Sequence, residues 1–139
     1  MEKEFVPYEP TLALKDIGYQ NPNPIGGYRG GAIFYYDKGS ELFYDGLPMY
    51  SSSYHEGQII APLYQQVFRW FRENHKLVCL PEPTGSWRYS CHYRSEDKDG
   101  KHWVGYLRDK ENKIIFYDSY EEAELACLKK LIEIAKETK

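Results

Sequence analysis

The chain has 139 residues, 42% of them hydrophobic and 28% charged, which is enough to bury one core of its own and unlike a disordered tail. Its net charge of −3 disfavours duplex nucleic acid as a partner, because phosphate binding draws on segregated cations. No apolar run is long enough to span a membrane and no signal-peptide pattern opens the chain, so a cytoplasmic protein with no membrane partner is expected.

In chain order, the first predicted helix runs from about Pro7 to Asp16, with Gly18 placed to take the left-handed position that ends a helix. Asn21 to Gly31 is rich in proline and glycine and reads as a loop. Within it, Gly26-Gly-Tyr-Arg-Gly-Gly31 leads into a strand and lacks Gly-Lys-Ser/Thr, so it is not a P-loop. Its backbone N–H groups, beside Tyr28 and Arg29, are nonetheless suited to hold an anion and stack a base. Strands follow at Ala32 to Tyr36 and Glu41 to Tyr44, joined through Asp37 to Ser40, and then a long connection from Gly46 to Gly57.

Pro62 to about Lys76 forms the central helix, because Leu63, Tyr64, Val67, Phe68, Trp70 and Phe71 share one arc at 3.6-residue spacing. Arg69 and Arg72 fall on the polar arc. Four strands are predicted next, at Leu77 to Leu80, Ser86 to Arg94, His102 to Leu107 and Lys113 to Tyr117, with the turn Asp97 to Gly100 closing a hairpin. The last helix starts at Ser119, paired with Glu122 as a capping box, and runs to about Glu137. Its apolar arc spans more than half the circumference, so either a neighbouring helix or a second subunit, in a homo-oligomer, is expected to cover part of it. The elements together predict an α+β fold, an antiparallel sheet with about three helices packed on it, in a single domain over 1–139.

The composition is unusual in one respect: 14 Tyr, 6 Phe and 3 Trp make 17% of the chain aromatic, more than one core of this size hides. Rings with a polar tip suit interfaces and stacking pockets. Alternation in the hairpin sends Trp87, Tyr89, Cys91 and Tyr93 to a core face and Arg88, Ser90, His92 and Arg94 to the other. With an even closing loop, Trp103 joins His92 and Arg94, and His102 points to the core side. Tyr28, Arg29, Arg88, His92, Arg94, Lys101 and Trp103 thus form the candidate ligand-binding set, a cationic and aromatic surface for a phosphorylated flat-ringed molecule.

Other chemistries have weaker support. His55, His75, His92 and His102 lack metal-ligand spacing, so no metal and no cofactor are expected. No Gly-x-Ser-x-Gly elbow is present, and Ser51-Ser-Ser53 with Tyr54 and His55 is the nearest approach to an active-site loop. Cys79, Cys91 and Cys127 lie in apolar stretches and read as buried thiols.

Three stretches, Glu4 to Glu9 with Leu12 to Tyr19, Ala61 to Glu73, and Tyr120 to Lys136, resemble a family of small proteins encoded by phages and prophages of gut bacteria. They cover about a third of the chain and are scaffold helices, so no functional residue carries over. Asn21 to Gly57 and the hairpin depart from that family's pattern. The resemblance implies an accessory protein of host-cell cytosol that acts against host defence, by sequestering a nucleotide-type immune signal or by binding a host protein. The expected function is therefore non-catalytic binding of an anionic nucleotide-type ligand. A protein-binding inhibitor or adaptor, and a small hydrolase using His55 or His92 as base, are the alternatives.

Overall fold

The computed structural model describes residues 4–19, 33–37, 39, 41–45, 58–96 and 99–137. The fold is α+β, with three helices and antiparallel three-stranded sheets among the described residues. The residues gather into two compact units, 1–67 and 68–139.

In the first unit, α1 (Tyr8–Asp16) ends in a Schellman motif. Gly18, at φ +94°, donates to Lys15 O, and Tyr19 donates to Leu14 O at 3.0 Å, which satisfies two carbonyls that the helix leaves open. Strand β1 (Ile33–Asp37) is central between β2 (Leu42–Asp45) and β3 (Gln58–Ile60), both antiparallel to it. Strand β3 lies just past the expected long connection and was not anticipated, because three residues are too few to reveal a period of two. The Tyr36 hydroxyl donates to Val6 O at 2.6 Å and the Tyr36 ring meets Tyr8 edge-on, tying α1's leading segment to the sheet.

Helix α2 (Tyr64–His75) begins two residues later than Pro62, with the Val67 N–H donating to Leu63 O at 3.2 Å at its start. The Leu63 N–H donates to Gln66 Oε1 at 3.0 Å, one half of a capping box. Its arcs fall as the spacing predicts: Val67, Phe68 and Phe71 are buried, while Arg69 and Arg72 are exposed.

The second unit holds the sheet β4-β5-β6, formed by β4 (Leu77–Pro83), β5 (Tyr89–Glu96) and β6 (His102–Tyr106). Strand β5 starts three residues later than expected. Thr84 to Arg88 form the β4–β5 turn, closed by Thr84 N–H to Arg88 O at 2.8 Å. Trp87, expected on the core face, sits in that turn at φ 60° and is 89% exposed. Lys113 to Tyr117 is not a strand. Asp109 Oδ1 accepts from the N–H groups of Glu111 and Lys113, and this local turn leaves only isolated bridges, Arg108 with Ile114 and Tyr89 with Tyr117.

Helix α3 (Tyr120–Glu137) starts where the capping box predicts, with Glu122 N–H donating to Ser119 Oγ at 3.2 Å. The Glu122 carboxylate reaches the N–H of Asp118, one residue earlier than the standard box. The helix lies over β4 and β5 and buries Ala123, Cys127, Leu128, Leu131, Ile132 and Ala135. Each fully buried leucine contributes about 2 kcal/mol of burial free energy. No helix among the described residues is long and apolar enough to cross a membrane.

Candidate functional site: a cationic, tyrosine-lined cleft

Because α3 covers the β4 and β5 side of the sheet, the strip toward β6 is left as an open cleft of about 570 Å³. Its helix wall is the stripe Ala126, Lys129, Lys130 and Glu133, residues that face one way at spacings of three and four. Its sheet wall carries Tyr93, and Arg108 and Ile115 come from the turn region beyond β6, with Tyr117 on the strand-like segment after it. Three cations thus face one carboxylate. Glu133 is itself held by Lys130 at 3.2 Å, which leaves Lys129 and Arg108 as the cations outside that pair. The Arg108 guanidinium also donates to Asn112 O at 3.0 Å, which fixes its position on the rim.

Gly105 explains how Tyr93 is displayed. The two residues are cross-strand partners, and a Cβ at Gly105 would fall 2.9 Å from Tyr93 Oη and 3.0 Å from its Cζ. The phenol therefore lies across the bare glycine, a place no other residue would leave open. Burial raises the Tyr117 phenol above its usual value, so it remains a neutral hydrogen-bonding group. Tyr106 also borders the cleft, although its ring packs on His92 at 5.1 Å. The Glu82 carboxylate raises the Tyr106 phenol, first by its charge and then by a hydrogen bond.

Beneath the helix lie the three cysteines, all buried and unpaired as disulfides. Cys79 pairs with Tyr93 in the ladder and Cys91 lies two residues along, so both point to the α3 face, where Cys127 meets them. The Cys91 S–H donates to Ala123 O at 3.1 Å. Hydrogen bonds from Cys127 and Cys79 favour a Cys91 thiolate. The bond to Ala123 needs the proton in place, however, and with complete burial it decides for the thiol. Hydrogen bonding to Cys127 lowers Cys79, but its bond to Cys91 and its burial outweigh this and push it up to about 12. Bonds to Cys79 and Cys91, then burial, push Cys127 up as well. Among the described residues no group of three His, Cys, Asp or Glu side chains could hold a metal ion.

The residues singled out from sequence are dispersed. Tyr28 and Arg29 lie outside the described residues, as do Ser51 to His55. Arg88 sits over the Phe116 ring and 3.5 Å from Asp118, and Lys101 sits over Trp103 at 5.3 Å. The β5–β6 loop, residues 97 to 101, is odd in length because Glu96 pairs with His102. That reverses the expected parity: Trp103 pairs with Ser95 on the Tyr93 face, while His102 joins His92 and Arg94 on the other. Arg94 borders a second, smaller cleft there. Lys129, Lys130 and Arg108 were not singled out, although the stripe Ala126, Lys129, Lys130, Glu133 is readable in the helix at its own spacing.

No family model, no curated protein and no solved structure matches the chain.

Proposed function

We propose that the α3 cleft binds an anionic, flat-ringed ligand of nucleotide type and that the protein acts by retaining it. In the phage-accessory setting that the sequence resemblance implies, the ligand is a diffusible nucleotide signal of host defence and the protein a sponge for it. One observation carries the reading: three tyrosines, Tyr93, Tyr106 and Tyr117, and three cations, Arg108, Lys129 and Lys130, line one cleft with a single carboxylate among the described residues. Rings stack a base for about 1 to 3 kcal/mol each, and guanidinium and ammonium groups meet phosphate oxygens.

Calorimetry against cyclic nucleotides and ADP-ribose derivatives tests it. Binding by at least one of them is expected, weakened at least about tenfold in the Arg108→Gln/Lys129→Gln double variant, a loss of about 1.4 kcal/mol, with the ligand recovered unchanged. No heat with any of them at high protein concentration would overturn the reading. A second reading, a protein-binding inhibitor or adaptor, is favoured by Trp87, which is 89% exposed on a left-handed backbone and suited to anchor a partner. It predicts indifference to nucleotides.

A further inference from the structure

On the sheet face opposite α3, a separate cleft of about 350 Å³ is bordered by Arg72, Lys76, Val78, Arg94, Glu96 and His102. Val78 pairs with Arg94, and Glu96 with His102, so these four side chains share that face by register. Arg72 comes from the last turn of α2, and Lys76 follows the end of the helix. Glu96 is within 3.8 Å of Lys76 and offsets one positive charge. Arg72 and Arg94 have no ion-pair partner among the described residues. Two guanidinium groups gathered in one concavity repel each other unless an anion joins them.

The backbone supplies an independent observation. Lys76 occupies φ 53°, in the left-handed region where a helix is ordinarily closed by glycine. A lysine there is conformationally costly, and such cost is characteristic of positions held for function. Its ammonium is delivered to the cleft as a result. The alternative is that Arg72 and Lys76 serve only to complement the negative end of the α2 dipole.

We infer that Arg72, Lys76 and Arg94 form a second anion site that takes a phosphoryl dianion, with the guanidinium groups meeting its oxygens. The site does not depend on the α3 cleft. Inorganic pyrophosphate is the probe, titrated into the full chain with amide chemical shifts followed by NMR and affinity by calorimetry. Saturable shifts are expected around residues 72–78, 94–96 and 102, with affinity falling at least tenfold in Arg72→Gln/Arg94→Gln and unchanged in Arg108→Gln/Lys129→Gln. Lys76→Gly is expected to weaken pyrophosphate while leaving the melting temperature equal or higher, because glycine relieves the backbone. Shifts confined to the α3 cleft, or no saturable shift at all, would overturn the inference. So would a Lys76→Gly variant that melts lower and binds as well as the parent, since that is the behaviour of a dipole complement.

Discussion

The thiol cluster makes a quantitative prediction about alkaline stability. Cys79 is held as a thiol to about 12, against an ordinary value of 9.0. The folded state therefore keeps a proton that the unfolded state gives up. The sign follows: the contribution is fully present below pH 9 and is lost as the pH rises toward 12, at up to about 1.4 kcal/mol per pH unit. Between about pH 8 and pH 10.5 the linkage integral for this one thiol comes to about 2 kcal/mol. Tyrosines and lysines titrate in the same interval, so the comparison is with Cys79→Ala, which removes this proton and leaves theirs. Urea unfolding under reducing conditions at both pH values should show the parent losing about 2 kcal/mol more than the variant. The variant starts from a lower baseline, because truncation of a side chain that is 1% exposed leaves a small void. Parallel losses in the two proteins would refute the assignment of a tightly held proton to Cys79.

Two further outcomes follow from single contacts. Gly105→Ala places a Cβ 2.9 Å from Tyr93 Oη, so the phenol must swing off β6. The cleft then loses a stacking ring, and calorimetry should show a nucleotide ligand weakened by about 5- to 150-fold, the equivalent of about 1 to 3 kcal/mol, while Tyr93→Phe binds as the parent. Tyr36→Phe removes the donor of a 2.6 Å buried bond to Val6 O and should cost about 1 to 2 kcal/mol in a urea titration, although the carbonyl keeps a longer bond, 3.3 Å, from Thr11.

What the sequence made legible is what short-range physics decides. The α3 arc from Ala123 to Ala135, the α2 arc around Val67, Phe68 and Phe71, and the left-handed Gly18 all follow from periodicity and capping, and each lies where expected. The face on which Trp103 and His102 lie turns on whether the 97–101 loop has an odd or even length, and one residue of slip exchanges every side chain across the sheet. The convergence of Cys79, Cys91 and Cys127 is likewise a matter of register, set by the Thr84 to Arg88 turn and by where α3 comes to rest. The cleft has the same origin. Lys129 and Lys130 are visible as a polar stripe, but they line a cavity only because α3 settles over β4 and β5 and leaves the strip toward β6 uncovered.

Both clefts coincide with a residue that local preference would not choose. Gly105 interrupts β6, where a β-branched or aromatic residue would strengthen the strand, and Lys76 follows α2, where glycine would relieve the backbone. Asn112, also left-handed at φ 66°, is different, because asparagine tolerates that region and the turn around Asp109 demands it. Sequences fold well when every local choice agrees with the global structure, and exceptions concentrate where something other than folding sets the residue. At Gly105 the exception gives Tyr93 a bed to lie on, and at Lys76 it delivers a cation beside Arg72 and Arg94. Optimising either position for stability should therefore act against the function of the cleft it serves.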